Sequence, residues 1–163
     1  MKRVLITLSF IFCMNFIAFS QIINESIPKF AESLFDLERA AIEENLTKRG
    51  FSLLPAETLH QFGYDAENIV AGYGNYKIWC IVVFDYLDYV EKVLVNNVTY
   101  TRADGMMYEY QNAGYVLHEK YSTNEELVYV KQEGDFVYAA FVNFLLTPYN
   151  CITKTEFRKE LKR

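Results

Sequence analysis

The chain has 163 residues, a formal charge of -5, and 17% aromatic residues, with 13 Tyr and 13 Phe. So aromatic a sequence buries enough apolar area to offset the entropy of ordering, which excludes a disordered chain. The acidic balance lacks the basic footprint that nucleic acid requires, and the length suits one domain with a real core but is short for two.

At the start, Lys2 and Arg3 precede an apolar run that closes on Ala18 and Ser20, the pattern of a secretory signal peptide over residues 1–20, cut before Gln21. A transmembrane anchor is the competing reading, but the run is short and no second span follows. Cys13 lies behind Phe10, Ile11 and Phe12 rather than the small residues of a lipid-attachment site, and is expected to leave with the leader. The mature protein is then a single domain over 21–163, secreted or periplasmic, with no stable membrane insertion. Because no acidic residue lies in the leader, losing Lys2 and Arg3 takes the charge from -5 to -7.

From Ser33 to Arg49, Leu34, Leu37, Ala41, Ile42 and Leu46 fall on one side of a 3.6-residue period, which predicts a helix that Phe30 extends upstream, with Pro28 tolerated in its first turn. Lys48 and Arg49 suit its negative end, and Gly50 can take the left-handed conformation that stops it. The strand "FSLL" follows until Pro55. Further on, "GNYKIWCIVVF" reads as a strand apolar on both sides, and "KVLVNNVTYT" as a strand rich in Val and Thr. "ADGMMYEYQNAGY" is read as a short helix with Asp104 as cap, Met107 and Tyr110 inward and Gly114 as terminator. At the end, Thr153 and Glu156 form a capping-box pattern for a final helix carrying Phe157 and Leu161.

The punctuation repeats. "KRGFSLL" is echoed by "NAGYVLH", and "GNYKIWCIVVF" can be laid on "GDFVYAAFVNF", pairing Gly74 with Gly134 and Cys80 with Ala140. The shared unit is a helix stopped by Gly, a strand, a second strand, a tight Gly turn and a third strand, over 33–102 and again over 103–147. Convergent patterning of aromatic strands is the alternative. The expected fold is α+β: an antiparallel sheet of about six to eight strands with helices packed on one face, in two tandem helix-plus-β-meander units. Such units are similar in outline to secreted β-lactamase inhibitor proteins, a likeness of architecture that spans at most Ser33 to Leu145 and carries no motif residues. A single cystatin-like unit or a cone-shaped NTF2-like fold fits the same elements.

In the central strand, Tyr76, Ile78, Cys80, Val82 and Phe84 share one face, and Trp79, Ile81 and Val83 the other. That second face, with Val137, Phe141 and Leu145 from the later strand, needs a cover. It is supplied internally, by Leu59 and Phe62 or by the final helix, or by a protein partner or a second copy of the chain. Trp79, Ile81, Val83 and Phe141, with Tyr86 and Tyr89 in the following turn, are therefore the candidate binding residues.

Other chemistry has little footing. A Cys among Trp, Ile and Val has a raised pKa and is no nucleophile for His60 or His118 to activate. In an oxidising compartment Cys80 and Cys151 either form a disulfide or stay as two buried thiols. Asp85, Asp88 and Glu91 read as a solvated turn, and no calcium loop, metal-ligand spacing or phosphate loop occurs, so no metal and no cofactor is expected. The leading expectation is a secreted, non-enzymatic binding protein of a bacterial envelope. The alternatives are a hydrolase built on Asp85, Asp88 and His118, or a structural envelope protein.

Overall fold

The computed structural model describes residues 25–61, 64, 70–74, 78–99, 103–146 and 151–162; the expected leader and Phe62 lie outside the described residues. Helices α1 (Ile27–Glu32), α2 (Arg39–Lys48), α3 (Ala56–Gln61) and α4 (Ala103–Asn112) accompany eight strands. These are β1 (Ser52–Leu53), β2 (Val70–Gly74), β3 (Ile78–Phe84), β4 (Val90–Thr99), β5 (Val116–Leu117), β6 (Glu126–Glu133), β7 (Phe136–Leu146) and β8 (Cys151–Leu161). The fold is α+β, with one antiparallel sheet in the order β1-β2-β3-β4-β8-β7-β6-β5.

That order reads as two four-strand runs meeting at β4 and β8. Each run is preceded by a helix that stops at a glycine in the left-handed region: Gly50 at φ 80° after α2, and Gly114 at φ 90° after α4. The second run does not stop near 147, as the expected unit did, but continues through β8 to Leu161. Gly134, at φ 57°, opens the two-residue loop between β6 and β7, where hairpins favour glycine. Gly74 does not play the same part. It lies within β2 opposite Trp79, and a Cβ there would sit 2.8 Å from Leu54 Cδ2.

Two helical expectations are corrected. The single helix over 33–49 is divided: Ser33 caps α1, its Oγ donating to the Phe30 carbonyl at 2.7 Å, and the chain turns before α2 starts after Glu38. The break lets Leu34 and Phe35, consecutive and both buried, enter the core from a turn. The final helix is replaced by β8. Thr153, Thr155 and Phe157 are buried while Lys154 and Arg158 are exposed, a period of two rather than 3.6. Phe157 lies between Val93 of β4 and Ala140 of β7.

Apolar side chains gather on both sides of the sheet. Phe30 of α1, Ile42 and Leu46 of α2, and Met106 and Tyr110 of α4 join one cluster with Cys80, Val82, Val93, Val95, Tyr129 and Phe157. Leu59 of α3 joins a second cluster with Ile81, Val83 and Leu94, packed by Leu54 and Tyr64. The glycines of β2 make this close cover feasible, since a Cβ on Gly72 would overlap the Leu59 side chain.

The Cys80–Cys151 bridge is not formed: Cys80 is a free, buried thiol. It pairs with Val95, which pairs with Thr155, so Cys151 stands two strands across and four residues along. At the usual strand spacing and rise that is about 16 Å between Cα atoms, against a limit of about 7 Å for a disulfide.

Candidate interaction surface

The residues expected to bind do not form one patch. Ile81 and Val83 are buried beneath Leu59, so that part of the face is closed by the chain itself, and Trp79 is left 39% exposed near its margin. Phe141 is half-buried, with the Arg158 guanidinium 5.2 Å from its ring centre. Nothing is described of the Leu145 side chain.

Tyr86 and Tyr89 lie elsewhere, in the hairpin between β3 and β4, at 90% and 64% exposure. Leu87, which the sequence reading did not single out, is also exposed between them. The hairpin is held by Asp85. Its N–H donates to the Tyr89 carbonyl at 2.8 Å, and its Oδ1 accepts from the N–H of Leu87 at 2.8 Å and of Tyr89 at 3.0 Å. Asp88 turns the corner at φ 63°, a conformation Asp tolerates better than most residues. Its carboxylate also lies 3.5 Å from Arg39 Nε, at the start of α2. The Arg39 guanidinium covers the Phe84 ring at 4.2 Å, tying the hairpin base to the helix. Aromatic side chains shown on a backbone fixed in this way can meet a partner with little loss of conformational freedom.

The register places two further features at the same end of the sheet. Lys92 of β4 pairs with Arg158 of β8, and Leu161 of β8 pairs with Phe136 of β7, so the β3–β4 hairpin, the end of β8 and the β6–β7 hairpin lie side by side. Leu161 is exposed and Phe136 partly so. Reading β8 with a period of two would have found Leu161.

Charges at this end are sorted by depth. The carboxylates of Asp36, Asp88 and Glu133 are 72%, 71% and 63% exposed, whereas the side chains of Lys131, Lys159 and Arg39 are 17%, 13% and 35% exposed. Each cation lies against an aromatic ring: Lys159 over Phe136 at 4.2 Å, Lys131 over Tyr138 at 5.6 Å, Arg39 over Phe84. The hydrogen bond and charge of Lys131 hold the Glu133 carboxyl below its ordinary pKa, with Lys159 adding to the effect and Asp36 opposing it. In these three pairs the cation is sunk over a ring and the carboxylate turned outward, which puts negative charge outermost beside the tyrosines, whereas in the Arg158–Glu156 pair the cation is the more exposed partner.

The groups of the alternative, hydrolase reading are not brought together. His118 follows β5 at one edge of the sheet, its N–H bonded to the Val128 carbonyl at 2.8 Å, while Asp85 and Asp88 follow β3. Four strand spacings from β5 to β4 amount to about 19 Å. His118 stacks instead on Tyr121, with ring centres 4.6 Å apart. Cys80 is fully buried, and burial pushes its thiol well above the ordinary pKa, so it holds its proton.

Among the described residues no three His, Cys, Asp or Glu side chains gather as metal ligands, and no helix is long and apolar enough to cross a membrane. No family model, curated protein or solved structure matches this chain.

Proposed function

We propose that the chain is a secreted, non-enzymatic binding protein of a bacterial envelope that engages another protein through the β3–β4 hairpin. One observation carries the reading: Tyr86, Leu87 and Tyr89 stand exposed together on a turn whose backbone Asp85 fixes with two accepted hydrogen bonds. Large apolar side chains left wet forgo burial worth about 1.5–3 kcal/mol each. Grouped rather than scattered, they mark a surface that meets something else.

A photo-crosslinking residue in place of Leu87, introduced in the native host, tests the reading. A discrete product of fixed mass is expected, and Asp85→Ala, which frees the Leu87 and Tyr89 amides, should diminish it. A diffuse smear unaffected by Asp85→Ala would refute it. Mass spectrometry of the mature protein should find Gln21 as its first residue.

A further inference from the structure

We infer that the partner of the β3–β4 hairpin is a basic polypeptide segment, one that presents Lys or Arg beside apolar side chains. The inference rests on the proposed role of the hairpin and specifies the chemistry of what it binds. The hairpin offers apolar contact through Tyr86, Leu87 and Tyr89, and these rings and branches fix the occupant as something with apolar side chains of its own. Charge fixes the rest. The outward carboxylates of Asp36, Asp88 and Glu133 surround the hairpin end, and the cations that offset them are drawn down onto Phe84, Phe136 and Tyr138.

Among the described residues two exposed cations lie near this end: Lys162, after β8, its N–H bonded to the Asp135 carbonyl at 2.8 Å, and Arg158, paired with Glu156. Neither outweighs the carboxylates, because Asp135 and Glu160 are exposed beside Lys162 and Arg158 is paired with Glu156. An approaching Lys or Arg therefore meets carboxylates first, and its charge both speeds encounter and selects against acidic competitors. The tyrosine faces add a second attraction for the same groups, since a cation over an aromatic ring is favoured most when it is withdrawn from water. The chain already uses this contact within itself, at Arg39 over Phe84 and Lys159 over Phe136.

The same sorting of charge disfavours other occupants. A second copy docked through the same patch would bring two copies of the Asp36, Asp88 and Glu133 carboxylates into one contact, since a two-fold interface uses the same patch on both sides. Anionic lipid and nucleic acid meet the same repulsion.

Selection of a random dodecapeptide phage library on the purified protein, with counter-selection on Tyr86→Ser/Tyr89→Ser, provides the test. Both tyrosines are exposed, so the double variant should keep the far-UV circular dichroism of the parent. Enriched peptides should carry at least two Lys or Arg with an apolar neighbour. Synthetic versions should bind about tenfold more weakly when salt is raised from about 50 to about 500 mM, and more weakly to Asp36→Asn/Asp88→Asn. Peptides that need the tyrosines but are uncharged or acidic, or whose binding ignores salt, would overturn the basic partner and leave the hairpin as the contact surface. If no peptide distinguishes the parent from the double serine variant, the hairpin reading falls with it. A dimer that the double variant dissolves would replace the basic partner by a second copy.

Discussion

Cys80 shows how one side chain answers to its place in the sheet. It sits at the middle of β3 with no exposed surface, and Ala140 is equally buried in the matching place on β7. A small residue was expected at both sites from the alignment of the two strands, and packing uses both in that way. Desolvation keeps the thiol protonated, so it lacks the thiolate that attacks alkylating reagents. Native protein held at about pH 8, just below the free thiol's ordinary value, should leave Cys80 unlabelled by iodoacetamide over hours. Urea above the unfolding midpoint should label it fully, as peptide mapping would show. Cys80→Ser puts a more strongly hydrated hydroxyl into a fully buried, mostly apolar site and should destabilise by about 1–3 kcal/mol. Rapid native labelling would mean that β3 is open to solvent and that the helices do not cover it.

Among the elements, β8 was the hardest to recognise. Thr153 and Glu156 fit a capping box, and Phe157 and Leu161 stand four apart, so a local reading finds a helix. The same residues also satisfy alternation, with Thr153, Thr155 and Phe157 inward. The choice is made by β4 and β7, which border β8 on both sides and lie outside any local window. Helix α4 was easier, with two corrections: it starts at Ala103, so Asp104 lies inside it rather than capping it, and Met106 rather than Met107 enters the core with Tyr110, while Gly114 ends the helix from the left-handed region. The internal cover was legible in part. Leu59 was expected to supply it and does, but the role of Gly72 and Gly74 in admitting Leu59 and Leu54 depends on a strand pairing the sequence does not display. The hairpin tyrosines were legible as an exposed turn, but the neighbouring Leu161 and Phe136 came into view only with the register. The two readings of β8 part on mutation. In a strand, Phe157→Ala opens the centre of the sheet and should destabilise by about 3–5 kcal/mol, whereas exposed Leu161→Ala should change stability by no more than about 0.5 kcal/mol. Equal losses from both in urea denaturation would restore the helix.

Across the whole molecule, the two runs of strands share one seam rather than standing as separate bodies. β4 and β8 pair over eight positions, from Lys92 with Arg158 to Thr99 with Cys151, and α1 packs against β4, β8 and α4 together. Tyr110 reaches across to β8, where its hydroxyl and that of Thr155 are 3.0 Å apart, and its ring stacks on Tyr129 and Phe157. Burial pushes the phenols of Tyr110 on α4, Tyr115 just before β5 and Tyr129 of β6 above their ordinary value of 10.0, and does the same to Tyr73 of β2 in the first run. The consequence for stability follows from proton counting. Above about pH 10 the unfolded chain loses these protons while the folded chain keeps them, so the folded state binds more and stability falls as pH rises. Because the seam joins both runs, the loss should come as one transition. Absorbance at 295 nm, followed with far-UV circular dichroism from about pH 9 to about pH 13, should show a step of tyrosine ionisation that coincides with unfolding. Phe157→Ala, which weakens the seam, should move that step to lower pH without splitting it. Two separated steps would show that the runs unfold independently, and that the centre of the sheet does not bind them into one cooperative unit.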